Sequence, residues 1–275
     1  MTSTSTTNWA VNTPTTSGNG LSQIQRLRPA LGTLCAIAAQ GHIENLEAAV
    51  TNAYAKLQQI DTLMHPTRMD SDLARLTAVL AKPVTIHAFT WEVLALARHI
   101  NELSAGVFDP CLPTQIGCMS DIELLPDNQV VCHAPVAIDL GGIAKGYAVD
   151  QAIAALHESG CSSGVVNAGG DVRVFGEPQQ FFINTGTDEP LQVTLHDCAL
   201  AVSQRHAVDR PREHQGYYVR NTLERGHDVE CDHVAVLAST AAVADALTKC
   251  GMFCNAIQFA ELCAALNAEV LLPLI

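Results

Sequence analysis

Basic residues are scarce in this chain: 15 Lys and Arg stand against 28 Asp and Glu, a formal net charge of −13 over 275 residues. A surface this acidic argues against nucleic acid or anionic membrane as partners. Aromatic residues are scarce too, at 5%, which leaves little material for base-stacking platforms. No apolar stretch reaches membrane-spanning length without a charge or a glycine break. The first 20 residues, rich in Ser, Thr, Asn and Gly, lack a basic segment followed by an apolar one and do not read as a signal peptide. None of the ten cysteines forms a CxxC pair, and several lie in apolar runs. Buried free thiols in a reducing, cytoplasmic setting are the expectation.

What is present is material for a core. Hydrophobic residues make up 48% of the chain, which excludes disorder for its body. Residues 1–22 read as a flexible tail and 23–275 as a single domain. A strand or hairpin start is predicted over 27–39. Leu46, Ala49, Val50, Ala53, Leu57 and Ile60 recur at helical spacing and predict a helix over 43–63. Further helices are predicted from Ser71, over 87–103, over 145–157, over 239–251 with Ser239 as N-cap, and over 256–266. Segment 108–125 reads as irregular. Strands are predicted over 138–140, near 163–168, 171–176, 180–185, 191–195 and 199–203, over 233–237 and over 269–272. The polar segment 204–230 reads as a loop around a strand at 217–219. Helices early, strands in the middle and helices late predict an α+β fold.

Two glycine-bearing segments carry the most chemistry. In AIDLGGIAKGYAVDQAIAAL (137–156), Gly141, Gly142 and Gly146 sit where a strand gives way to a helix, with Lys145 at the junction. Unpaired amides of a first helical turn plus one cation make an anion site, and a pyrophosphate is a natural ligand for it. In VVNAGGDVRVFG (165–176), Gly169 and Gly170 end an apolar run and permit a tight turn with close backbone approach. Ordinary tight turns are the alternative for either segment alone. A third feature is Asp245, the only charge on the apolar stretch 239–247. A carboxylate there needs a pair, a cap or a metal unless its face is exposed.

These segments, in order with others, resemble the ApbE family of FAD:protein FMN transferases. RPALGT (28–33) resembles its opening strand with MGT, and DSDLARLT (70–77) its D-S-E-x-x-R-L-N. GVFDP (106–110) resembles its G-x-F-D-P. DLGGIAKGYAVD and NAGGDVRVFG resemble its core motifs, and VADALTKCGMF (243–253) its A-D-A-L-x-T-A-x-F. The resemblance spans about residues 26–253. It implies an ApbE-like, T-fold-like architecture: two packed α/β sub-structures with the cofactor site between them. It also implies an enzyme that cleaves FAD with Mg²⁺ and attaches FMN by a phosphoester to a Ser or Thr of a target flavoprotein. By the same resemblance Lys145 and Asp245 are the catalytic candidates. Leu31, Gly32, Asp72, Val107, Phe108, Asp109, Gly142, Lys145, Gly169, Gly170, Asp171 and Ser203 are the cofactor-binding ones. Gly142 through its carbonyl, Asp245 and Thr248 would hold the metal.

The chain departs from the family pattern at several points. Lys249 stands where relatives place the Thr or Ser that completes the metal site, with Thr248 one residue earlier. Two alternatives stay open: Thr248 substitutes, or the Lys249 ammonium takes the metal's place. Segment 217–226 (YYVRNTLERG) occupies the place of H-x-I-D-P-x-T-G, so Tyr218 falls near the histidine and Asn221 near the aspartate. A-T-S-G becomes AVSQR, which keeps only Ser203; Thr67 replaces an aromatic and Leu31 a methionine. These changes leave two alternatives to transfer: a non-catalytic FAD-binding protein of the same fold, or an FAD pyrophosphatase that releases AMP and FMN.

Overall fold

The sheet is built so that alternate residues face opposite layers. A computed structural model describes residues 21–185, 189–204, 231 and 233–272. Its centre is a seven-stranded antiparallel sheet of β1 (Ser22–Ala30), β2 (Thr33–Gly41), β6 (Ser163–Ala168), β7 (Asp171–Phe175), β10 (Ala199–Gln204), β11 (His233–Ala238) and β12 (Glu269–Val270), in that order. On β6, Val166 and Ala168 face the main core while Val165 faces a smaller one; on β11, Val234 and Val236 are divided from Ala235 in the same way. This is the period-two pattern of a sheet covered on both faces.

Helices cover one face. They are α1 (Ile43–Met64), α4 (Ala144–Glu158) and α5 (Ala241–Gly251), side by side over β1–β2, β6–β7 and β10–β11 respectively. Leu46, Ala49, Val50, Ala53, Leu57 and Ile60 are all buried, so the stripe seen in the sequence is the packing face of α1. The hairpin of β8 (Gln179–Ile183) and β9 (Leu191–Leu195) covers the other face, with Phe181, Ile183 and Leu195 buried against Val172, Val174 and Leu200. A second lobe joins α2 (Asp72–Thr77), α3 (Ala88–Leu103) and a small sheet of β3 (Val84–Thr85), β4 (Ile122–Leu125) and β5 (Gln129–Cys132). Helix α6 (Ala256–Ala265) precedes β12, started by a capping box of Asn255 and Gln258.

The α+β expectation holds, and local readings are refined. Segment 138–140 is not a strand; only Cys111 and Ile138 form a bridge. Proline at 110 and 113 on the facing segment supplies no N–H to extend the ladder. Segment 108–125 is less irregular than its prolines suggest, since it ends in a 3₁₀ turn (Met119–Asp121) and β4. Thr240, not Ser239, caps α5: it has the extended backbone of a cap, and its side chain accepts from the Val243 amide. Cys35, Cys111, Cys132, Cys161, Cys250, Cys254 and Cys263 are buried and free, as expected of thiols in apolar runs. The expected strand at 217–219 and most of the expected N-terminal tail lie outside the described residues.

Helices α4 and α5 are joined at their N-termini by a reciprocal clasp. Asp150 of α4 accepts the amides of Ala241 (2.8 Å) and Ala242 (2.9 Å) in the first turn of α5. Asp245 of α5 accepts the amide of Gly146 (3.2 Å) in the first turn of α4. Each carboxylate satisfies orphan donors at the positive end of the other helix. The approach requires glycine at 146, where a Cβ would stand 2.2 Å from the Ala241 carbonyl oxygen. Gly146→Ala is therefore expected to force the helices apart and lower the unfolding free energy by about 1–3 kcal/mol, measured by urea titration. An unchanged midpoint would show that the helices separate freely.

Candidate functional site

Turns and helix starts converge at one end of the central sheet. The β1–β2 turn holds Leu31 (φ 54°) and Gly32 (φ 70°), both left-handed. The β6–β7 turn holds Gly169 (φ 65°) and Gly170 (φ 107°), with the Gly170 amide donating to Asn167 Oδ1 at 3.1 Å. A Cβ on Gly169 would lie 2.9 Å from Thr33 Oγ1, so the two turns touch. A Cβ on Gly170 would lie 3.6 Å from the Val202 carbonyl, next to Ser203 at the end of β10. Leu31, Gly32, Gly169, Gly170, Asp171 and Ser203 are thus neighbours, as the sequence motifs suggest. A cleft of about 530 Å³ opens beside Leu31 and Gly32, lined also by Pro29 and Asp61.

Four charges meet beneath these turns. Lys145 Nζ hydrogen-bonds Asp171 Oδ2 and stands 3.9 Å from Asp245 Oδ2. Lys249 Nζ donates to Asp245 Oδ1 (2.7 Å), Ser203 Oγ (2.7 Å) and Thr248 Oγ1 (3.0 Å). The Thr248 hydroxyl donates to the Asp245 carbonyl at 2.7 Å. The side chain of Lys145 is 32% exposed, against 9% or less for Asp171, Asp245 and Lys249. Lys145 is therefore the charged member a ligand reaches first.

Burial and pairing set the protonation of the cluster. Burial raises the Asp171 carboxyl from 3.8 to about 6, the Asp245 charge adds to this, and Lys145 opposes it. Burial also works against ionised Asp245, but Lys145 and Lys249 together hold it below its usual range. Burial pulls Lys145 down while Asp171 and Asp245 raise it further, so its ammonium persists. Asp150 is pushed up by burial, against the pull of Arg173 at 2.7 Å.

The remaining candidates have other partners. Buried Asp72 ties α2 to α3: it accepts from Thr90 Oγ1 (2.6 Å) and the His87 amide (2.9 Å) and pairs with Arg75. Phe108 is buried in the core beside half-buried Val107. Asp109 accepts the Cys111 amide at 2.8 Å, and the Pro110 carbonyl accepts the Asp139 amide at 2.9 Å. The GVFDP turn is thereby strapped to the strand-like run that enters Gly141 and Gly142. Gly142 is buried in the turn ahead of α4. The expectation of bare amides at that helix start needs correction. The Ala144 amide donates to the Leu140 carbonyl (2.8 Å), and the Gly146 amide is taken by Asp245. Residues 217–226, with Tyr218 and Asn221, lie outside the described residues. Sequence reasoning missed Asp150 and Asn167 as organisers of the site. Both sit inside the quoted motifs, where an Asp and an Asn by type alone read as side chains pointing to water.

The donors expected for Mg²⁺ do not fit a divalent ion beside Lys249. Both Asp245 oxygens and the Thr248 hydroxyl are engaged, and a dication at hydrogen-bond range of a buried ammonium would meet strong repulsion. Among the described residues no group of three or more His, Cys, Asp or Glu is placed to hold a metal.

Known proteins share this fold. The model of the ApbE family matches residues 31–121 and 112–272. The FAD:protein FMN transferase of Treponema pallidum is 24% identical over 301 residues, covering 89% of this chain and 82% of that protein. The flavin transferase ApbE of Vibrio cholerae superposes with a TM-score of 0.78 at 20% identity, covering 91% of this chain and 93% of its own. The ApbE protein of Thermotoga maritima superposes with a TM-score of 0.76 at 20% identity, covering 90% and 94%. A mixed helix-and-sheet protein with a lysine–carboxylate centre at the sheet end is the class defined here. The chain belongs to the ApbE family.

Two predictions test the cluster. The Asp171 carboxyl is expected to titrate near pH 6 by carbon NMR, and Asp245→Asn to lower that midpoint by removing a like charge. Because the native pKa exceeds the unfolded one, this group's stabilisation is fullest below about pH 4 and is lost as pH rises through about 6. Separately, Asp245→Asn leaves Lys249 buried without its counter-charge and is expected to lower unfolding stability by about 3–5 kcal/mol, with Asp245→Asn/Lys249→Met recovering part of the loss. A double variant as unstable as the single would show that the pair does not stand alone.

Proposed function

We propose that this protein is an FAD:protein FMN transferase. The observation that carries the reading is Lys145, a partly exposed ammonium at the start of α4, held by Asp171 and Asp245 beside two touching glycine turns. Family membership and the Treponema pallidum relative support the same activity. In this reading FAD is the substrate and its pyrophosphate docks against Lys145. Backbone of the 169–170 turn approaches the dinucleotide closely because neither residue there carries a side chain, and Gly32 leaves open space next to Leu31. An acceptor hydroxyl on a Ser or Thr of a target flavoprotein forms a bond to the phosphorus that carries riboflavin. The bridging P–O bond breaks, AMP leaves, and the hydroxyl proton passes to solvent. Lys145 offsets the charge that gathers on the departing phosphate oxygens. The sequence-based expectation of Mg²⁺ at Gly142, Asp245 and Thr248 supplies no step here, because the Asp245 carboxylate and the Thr248 hydroxyl are engaged by Lys249 and the Gly146 amide. A cytoplasmic setting is consistent with the reduced thiols. Among the described residues no helix is long and apolar enough to cross a membrane.

A second reading follows from the buried Lys249–Asp245 pair: a protein that binds FAD without cleaving it. Incubation with FAD and candidate flavoproteins, followed by nucleotide chromatography and mass spectrometry of the acceptor, separates the readings. Transfer yields AMP in step with FMN-bearing acceptor, and Lys145→Met is expected to slow it about 100-fold or more. AMP with free FMN indicates a pyrophosphatase, and retained, uncleaved FAD the binding protein.

A further inference from the structure

The oxygens around Lys249 form a cation site that is closed from within. Its ammonium is surrounded by Asp245 Oδ1, Ser203 Oγ and Thr248 Oγ1 at 2.7, 2.7 and 3.0 Å, with the Asp245 carbonyl farther off at 3.4 Å. An ammonium has three protons, and three oxygens take them. A carboxylate and two hydroxyls are hard donors of the kind that bind small hard cations. The lysine is 7% exposed and comes from the same helix as Asp245, one turn on. It cannot diffuse away as a bound ion would.

Charge explains why the site is closed. Lys145 and Lys249 oppose Asp171 and Asp245, so the buried cluster is neutral as it stands. Without Lys249 one carboxylate would be left uncompensated in a nearly dry interior, which is costly unless a cation enters. With Lys249 present, an incoming divalent ion would add net charge and face an ammonium already seated on its ligands.

We propose that Lys249 is a covalently built-in cation that takes the place of a divalent metal, so that the site binds a pyrophosphate-linked dinucleotide without metal. The metal-exclusion half stands on the Lys249 contacts alone; the dinucleotide half rests on the reading of the site given above. Replacing Lys249 with threonine should reopen the cage and convert the site to one that needs a metal.

The experiment reads metal uptake directly, by electron paramagnetic resonance of Mn²⁺ added to the full chain. The wild-type protein is expected to show no Mn²⁺ signal that depends on Asp245, and Lys249→Thr to acquire one that Asp245→Asn abolishes. Saturating Mg²⁺ should raise the melting temperature of Lys249→Thr by about 5 °C or more and leave the wild type unmoved. By flavin fluorescence, the wild-type affinity for FAD should agree within about twofold in EDTA and in excess Mg²⁺, since an ion that does not bind shifts nothing. Asp245-dependent Mn²⁺ binding by the wild type overturns the proposal, as does a folded Lys249→Thr that takes up none. If Lys249→Thr folds only with Mg²⁺ the proposal is supported; if it never folds, the wild-type Mn²⁺ result decides. Failure of the wild type to bind FAD at all counts against the functional reading and the dinucleotide half, and leaves the Mn²⁺ comparison to judge metal exclusion.

Discussion

A fully buried carboxylate, Asp245, is the constraint around which this end of the molecule is arranged. A charge with no water around it needs partners from several directions, and no single element supplies them all. The first turn of α4 gives an amide and a nearby ammonium, and α5 gives Lys249 from one turn further along. Those partners reach Asp245 only if the two helix starts nearly touch, which makes the absence of a side chain at Gly146 a requirement of electrostatics as much as of packing. Asp150 answers in the other direction and fixes the same approach. The clasp therefore locates Lys145 to within the tolerance of several hydrogen bonds, on rigid elements and not on a loop.

How much of this was legible in the sequence depended on range. Local periodicity shows through wherever one face is buried, which is why α1 could be read from Leu46, Ala49 and their successors. The glycine turns were legible because left-handed backbone at 169 and 170 favours glycine. The N-cap of α5 slipped by one residue because Ser239 and Thr240 are both competent, and only the path of the chain out of β11 chooses between them. The strand expected at 138–140 failed because pairing needs donors on the facing segment, which a run of apolar residues does not announce.

The site was legible as a set and not as a network. Family motifs put Lys145, Asp171 and Asp245 among the candidates, and the fold brings those three together. Which carboxylate pairs with which lysine depends on the register of β6 against β7 and on the angle between α4 and α5, neither of which is written locally. Asp150 and Asn167 escaped notice for the same reason: their work is to receive amides from elsewhere in the chain. Asp72 illustrates the converse, a motif residue whose carboxylate is bound up in joining α2 to α3.

The order of strands in the central sheet has a consequence for how the protein is made. The β1–β2 hairpin is complete early, yet the neighbour of β2 is β6, through pairs such as Cys35 with Ala168. During synthesis the hairpin waits with one edge unpaired while the whole second lobe emerges. Closing so long a loop is slow, and it is the step that sets the 31–32 turn against the 169–170 turn. The two turns flanking Lys145 thus meet only after β6 has emerged, and a nascent chain stalled before that point carries an unpaired apolar strand edge.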